Sequence, residues 1–323
     1  MFANPQIETC PRDELQKLQL ASLKKILGWA MEKSFYYQQS FKQAGVNLNA
    51  IESLEDIRKL PFTTIATLHS VDSLDMLTLP LSNILRFNHI MTECDGVTKC
   101  YTNGDIARNV EMLTRALVAM GITGTSIVGL QGDLSDSRLL DIQYALEVLG
   151  VTVISLGTNY EHWLRLMEIV GMDTIISTPR LIMQLIIQLQ ANGKNIADYP
   201  VEKIVCINPN HIQNQLQRHI QDRTQTRVFN LYAPPEIGSA SMLFQCDSRR
   251  GFHINEDFFL TEIIAFDGKD PIIEDGRMGE LVITTLKAEA MPLIRFRTGQ
   301  AVRYLSEPCE CHRTLARIAS VNG

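Results

Sequence analysis

The sequence predicts an α/β fold: a mainly parallel sheet with flanking helices, followed by a β-rich C-terminal subdomain. Three observations lead there. Short apolar runs alternate with helical-period segments from about residue 105 to residue 231, the pattern of βαβ units whose crossover helices cover a parallel sheet. Beyond about residue 238 the alternation stops, and strands follow one another across turns such as Phe266-Asp267-Gly268 and Glu274-Asp275-Gly276. The 323 residues are 45% apolar, enough for a sizeable core and too much for intrinsic disorder.

The elements follow in order. Leu15, Leu18, Leu20, Leu23, Ile26, Leu27 and Ala30 form an apolar stripe at helical spacing. Ser53 caps a short helical turn that Leu60-Pro61 ends, because a residue before proline resists helical geometry. Helices are expected over 107–120, 138–149, 162–170, 179–190 and 211–222, and strands over 126–130, 151–156, 174–177, 203–207 and 227–231. Strands over 258–266, 279–285 and 301–305 make up the β-rich end. Expected divisions are 1–104, an N-terminal helical region; 105–237, the α/β part; and 238–323, the β-rich part.

Composition excludes several classes. A net charge of −6 with scattered basic residues argues against nucleic acid as the main partner. No apolar run approaches a membrane span, and the N-terminus lacks a signal-peptide pattern. Seven cysteines, an odd number, suit a reducing cytoplasm rather than a disulfide framework.

Cys246, His253, Cys309 and Cys311 offer three thiolates and an imidazole, the donor set that structural zinc prefers. Gly251 lets the first pair approach, and Cys309 and Cys311 flank Glu310 in a tight knuckle. The spacing matches no standard finger, so buried thiols beside an unrelated histidine stand equally well on spacing alone, and His312 is an adjacent donor. His89, Cys94 and Cys100 form a second, weaker grouping with redox or metal potential.

Four segments carry a resemblance: Ser53-Leu54-Glu55-Asp56-Ile57, Leu60-Pro61-Phe62-Thr63-Thr64, Gly279 to Thr285, and Glu289 to Gly299. In order and interval they resemble the phenylacetate–CoA ligase family, which includes coenzyme F390 synthetase-like proteins within the acyl-adenylate-forming superfamily. The resemblance implies the large N-terminal domain of that fold. It also implies a chemistry in which ATP and magnesium adenylate a carboxylic acid before transfer to CoA. Some members carry a structural zinc, and Cys246, Phe252-His253-Ile254 and Pro308-Cys309-Glu310-Cys311 match its elements, which supports zinc here.

The nucleotide motifs depart from the family pattern. Its Gly-rich phosphate loop corresponds to Met91-Thr92-Glu93-Cys94-Asp95-Gly96-Val97-Thr98-Lys99, which keeps only Gly96 and gains two carboxylates that repel a polyphosphate. Lys99 reads there as a solvated lysine. The adenine turn becomes Asn208-Pro209-Asn210. The adenine-stacking tyrosine and magnesium-binding glutamate persist as Tyr232 and Glu236, but Ala233-Pro234-Pro235 separates them. The ribose aspartate becomes Gln300, which loses a charge-assisted hydrogen bond. Val321 replaces the hinge arginine, and the lid domain that brings the adenylating lysine is expected to be absent.

The resulting expectation is a catalytically degenerate ligase-like protein acting as a binding, regulatory or assembly module, with zinc as its cofactor and a vestigial nucleotide site at Gly96, Tyr232, Glu236 and Gln300. A protein partner or homodimer is expected at the C-terminal ends of the strands, with room for a small acyl or aromatic ligand. The competing expectation is residual ATP-dependent carboxylate activation with the lid supplied by another chain.

Overall fold

Local sequence accounts for most element ends. In the computed structural model, residues 1–91, 96–133, 136–157, 159–208, 214–266, 268, 271–272 and 276–320 are described. Helices α1 (Pro5–Glu8), α2 (Arg12–Lys33), α3 (Phe35–Gln43) and α4 (Ile65–Ser70) form the N-terminal region. Asn4, Ser34 and Thr64 cap α1, α3 and α4 by accepting backbone N–H bonds, satisfying donors the first turn leaves orphaned. Ser53 and Asp56 form a reciprocal capping box on the turn over Leu54–Lys59, which stops at Leu60. The stripe on α2 buries Leu15, Leu23, Ile26, Leu27 and Ala30, but Leu18 is exposed, because 3.6-residue geometry rotates it off the packed face.

A hairpin of β1 (Arg86–Met91) and β2 (Gly96–Tyr101) follows. Next come α5 (Asn103–Ala119), β3 (Ile127–Leu130), α6 (Ser137–Val148), β4 (Thr152–Ser155), α7 (Tyr160–Val170), β5 (Thr174–Ser177), α8 (Pro179–Ala191), β6 (Lys203–Asn208), α9 (Asn214–Thr224) and β7 (Arg227–Tyr232). The β-rich end contains β8 (Leu243–Phe244), β9 (Phe252–Ile254), β10 (Phe259–Ile264), β11 (Gly279–Thr285), β12 (Phe296–Leu305) and β13 (Arg317–Ser320).

Among the described residues, β3 to β13 make one eleven-stranded sheet in the order β10-β11-β12-β13-β9-β8-β7-β6-β5-β3-β4. The half from β4 to β7 is parallel, and every pairing from β7 to β10 is antiparallel. The sheet therefore continues across residue 237. In the parallel half, successive residues face opposite sides. Ile176, Val205 and Phe229 pack with Leu113, Leu117 and Ile142 of α5 and α6, whereas Ile175, Ile204 and Val228 pack with Trp163, Ile182 and Ile220 of α7 to α9. A third core joins α2 and α3 to the β-rich end through Leu23, Phe41, Phe252, Ile283 and Phe296.

Two of the resembling segments meet. Thr63 N–H donates to Arg295 O (3.1 Å) and Arg297 N–H donates to Thr63 O (2.9 Å), so Leu60–Thr64 lies against the start of β12. Arg295, 2% exposed, sends a two-pronged ion pair to Glu262 (3.0 and 2.8 Å) and donates to the carbonyls of Leu60 (2.8 Å) and Arg58 (3.1 Å). Its guanidinium also lies 4.0 Å from the Phe62 ring centroid. The Leu-Pro-Phe-Thr-Thr and Pro-Leu-Ile-Arg-Phe-Arg motifs thus form one structural clamp.

Candidate functional sites

The C-terminal end of β7 positions the first group. Tyr232 closes the strand, and the Pro234-Pro235 pair turns the chain into a short 3₁₀ turn carrying Glu236. Gly238 ends that turn at φ 72°; a Cβ there would meet Tyr101 Oη at 2.5 Å and Lys99 Cγ at 2.6 Å. Strand β2 seals the turn: Tyr101 Oη donates to Gly238 O at 2.8 Å, and Asn109 Nδ2 donates to the same oxygen at 3.2 Å.

Glu236, Gly96, Lys99 and His69 line one small cavity of about 40 Å³. A second cavity of about 50 Å³ lies between Lys99, Cys100, Met112, Phe258 and Met291. Each holds a few waters at most. Burial raises the Glu236 pKa, against the pull of Lys99 and His69. Lys99 is buried rather than solvated: it is 5% exposed and donates to Met291 O at 2.8 Å. The segment read as loop continues β2, whose pairing with β1 turns Lys99 inward. Burial depresses its pKa to about 8, partly offset by Asp105, Cys100 and Glu236.

Tyr232 is 1% exposed and packed in the core shared with the N-terminal helices. Gln300 is buried in β12 and lines neither cavity. Gly96 lies against the His89 ring, where a Cβ would approach Nε2 to 2.0 Å. His89 is exposed and Cys100 buried. Thr92–Asp95, including Cys94, together with Pro209, Asn210 and Val321, lie outside the described residues. Sequence reasoning did not find His69 or Met291; both reach this cleft from segments distant in sequence, and no local pattern marks them.

The second group is built on the β8–β9 hairpin and the β12–β13 connection. Cys246 follows β8, and His253 is the middle residue of β9, paired with Phe244 and Arg317. Gly251 has φ 83°, and a Cβ there would meet Ile318 O at 2.9 Å, so glycine alone closes the hairpin onto β13. Cys309 and Cys311 come from a knuckle in which His312 N–H donates to Cys309 O at 2.9 Å. His312 has a left-handed backbone (φ 63°) and points to solvent, outside the cluster.

The donor atoms of Cys246, His253, Cys309 and Cys311 lie within 4.8 Å of one another. Cys246 Sγ is 3.5 Å from Cys309 Sγ, and Cys311 Sγ is 3.3 Å from His253 Nε2. A tetrahedral ion with metal–sulfur bonds of about 2.3 Å needs donor separations of about 3.8 Å, close to these. The Leu315 carbonyl, 3.4 Å from His253 Nδ1, favours the tautomer with its proton on that nitrogen, leaving Nε2 free to face the thiols. Ser248 Oγ lies 3.1 Å from Cys246 Sγ and 3.4 Å from Cys309 Sγ.

The Cys311 hydrogen bond lowers the Cys246 pKa against burial, with His253 and Ser248 assisting. Burial opposes charging of His253, but the thiols of Cys246 and Cys309 outweigh it and raise its pKa. This arrangement can hold a metal. It is also tied to the N-terminus, because Arg313 beyond the knuckle donates to the buried Glu8 carboxylate at 2.6 Å.

Comparison with known proteins places the chain beside acyl-CoA ligases. It is 28% identical to a phenylacetate–coenzyme A ligase of Thermus thermophilus over 100% of this chain and 73% of that protein. It is 29% identical to an Escherichia coli phenylacetate–coenzyme A ligase over 97% and 72%. Its fold matches 2-hydroxyisobutyryl-CoA ligase, solved in an open conformation with 2-HIB-AMP and CoA, at TM-score 0.89, 18% identity, 97% of this chain and 75% of that one. A benzoate CoA ligase of Burkholderia xenovorans matches at TM-score 0.52 over 75% and 50%. No protein-family model matches the chain. Among the described residues, no helix is long and apolar enough to cross a membrane.

Proposed function

We infer, starting from a chain related along its whole length to phenylacetate–CoA ligases, that this is a catalytically degenerate acid–CoA ligase-like protein. It acts as a binding, regulatory or assembly module. The observation that carries this reading is the filling of the cleft at the end of β7 by protein. Buried Lys99 and Met291 lie beside Glu236, and Tyr232, the adenine-stacking position of the family, has no exposed face. Cavities of about 50 and 40 Å³ fall well short of the roughly 300 Å³ at which ligand pockets begin. Gln300 in place of the ribose carboxylate and the carboxylates Glu93 and Asp95 in the former phosphate loop support the same conclusion.

In this reading Cys246, His253, Cys309 and Cys311 hold zinc. The ion supplies a cross-link between the β8–β9 hairpin and the β12–β13 connection, and needs no open coordination position. The C-terminal ends of the strands serve a protein partner or a second copy, in the cytoplasm, with a small acyl or aromatic compound as the ligand class.

Calorimetry with ATP, AMP, CoA and aryl acids tests the reading. Heats for ATP and AMP are expected to be flat, with no carboxylate-dependent pyrophosphate release. Saturable ATP binding together with pyrophosphate release would establish the competing reading, residual carboxylate adenylation, which the retained Tyr232 and Glu236 favour. Elemental analysis is expected to find one zinc per chain.

A further inference from the structure

A separate polar groove of about 330 Å³ runs between α9 and the turn that follows Cys246. Gln217, Arg218 and Gln221 line it from the helix, Ser248 and Arg249 from the turn, and Gln245 from the residue before Cys246. Among the described residues, its lining includes two arginines and no acidic side chain. Of the acids adjacent in sequence to lining residues, Asp247 pairs with Arg227 at 3.0 Å, and Asp222, next to Gln221, does not line the groove.

The groove floor is set by an amide network. Gln217 Nε2 donates to Gln245 Oε1 (2.9 Å), the Asn230 N–H donates to the same oxygen (2.8 Å), and Asn230 Nδ2 donates to Gln217 Oε1 (2.6 Å). Such interlocked amides hold one arrangement. Arg249 has a left-handed backbone, φ 53°, and its N–H closes the turn on Cys246 O at 2.9 Å. The turn carries its guanidinium back over Phe229, 6.0 Å from the ring centroid, where Nη1 donates to Gln221 Oε1 at 2.6 Å. Arg249 Nε is nonetheless buried without a partner. The side chain of Arg218, across the groove, makes no hydrogen bond or ion pair among the described residues. A buried orphan donor calls for an acceptor. A water molecule would satisfy it; an anion would satisfy it and also meet the positive charges of Arg249 and the exposed Arg218.

We propose that this groove is an anion site that takes a phosphoryl group, with Arg218 and Arg249 as its charged ligands. The planar guanidinium fork matches phosphate oxygens in pairs, and the volume leaves room for the remainder of a phosphomonoester. The site is remote from the cleft at Glu236 and is independent of whether that cleft binds nucleotide.

The test is calorimetric titration of the full chain with inorganic phosphate and with glycerol phosphate, against sodium chloride at matched ionic strength. Arg218→Gln and Arg249→Gln are the test variants, and Arg250→Gln, an exposed neighbour outside the groove, is the control. Saturable phosphate binding is expected, unchanged by Arg250→Gln and weakened about tenfold by each groove substitution. Tighter binding of glycerol phosphate would identify a phosphomonoester as the ligand, and equal binding inorganic phosphate. Arg218→Gln alone decides the matter if Arg249→Gln does not fold, since Arg218 is exposed. Heats reproduced by chloride, or an affinity indifferent to Arg218→Gln, would overturn the assignment.

Discussion

Replacing Arg295 with methionine exposes what holds the N-terminal region to the sheet. Arg295 and Glu262 are 2% and 9% exposed, and they share two hydrogen bonds of 3.0 and 2.8 Å. Removing one member of a buried pair costs about 3–5 kcal/mol, because the remaining charge stays desolvated and unpaired. The carbonyls of Leu60 and Arg58 lose their donor in the same step, and Phe62 loses its cation. A total near 5 kcal/mol follows, a large share of the roughly 5–15 kcal/mol that folded domains possess. Urea unfolding followed by tryptophan fluorescence measures it as a fall in midpoint at constant slope. The double variant Arg295→Met/Glu262→Leu should recover more than half the loss, since an apolar pair pays no desolvation cost. A loss under 1 kcal/mol in the single variant, or a double variant no better than the single, would refute the clamp.

The remaining predictions concern the cluster, the cleft and one glycine. Cys309→Ser removes one of three thiolates, so zinc content by elemental analysis should fall sharply and stability should drop by about 3 kcal/mol or more; a wild-type melt indifferent to a chelator would count against a structural metal. Lys99 titrates near 8 in the fold, against 10.5 when unfolded. Between those values the unfolded chain binds more protons, so stability should rise with pH, by up to about 1.4 kcal/mol per unit. Melts of Lys99→Met across this window should lack that rise, and at pH 7 the variant should be the more stable protein. Gly279→Ala would push a Cβ to 2.3 Å from Ile264 O at the β10–β11 pairing and should cost about 1–3 kcal/mol by urea unfolding; a neutral result would mean that the strands separate freely there.

Much of the architecture was legible because it is locally encoded. The strand at 174–177 matches β5, and the helix from Pro179 ends within one residue of its expected limit, since proline at the first turn and a polar stop after the apolar stripe are local signals. The members of the Cys/His cluster were legible for another reason: three cysteines and a histidine are chemically conspicuous wherever the backbone takes them. Spacing alone left their convergence open; the family resemblance pointed to Cys246, His253, Cys309 and Cys311, and the structure brings those four together with His312, at a left-handed φ of 63°, outside.

Other features depended on partners far away in sequence. Strand β12 begins at Phe296, five residues before the expected start, because Thr63 supplies a neighbour for the polar run Arg297-Thr298-Gly299. The short strands β8, β9 and β13 exist only as members of the antiparallel half of the sheet. Lys99 shows the contrast most plainly. Composition and spacing present it as a lysine in a former phosphate loop, while pairing with β1 and the packing of Met291 turn it into a buried cation beside Glu236. By itself the sequence determined the alternation of strands and helices, the family likeness and the identity of the metal-capable side chains, because periodicity and residue chemistry belong to the chain. Only the tertiary structure decided which polar groups lose their water, because desolvation depends on what packs over a residue and not on its neighbours in sequence.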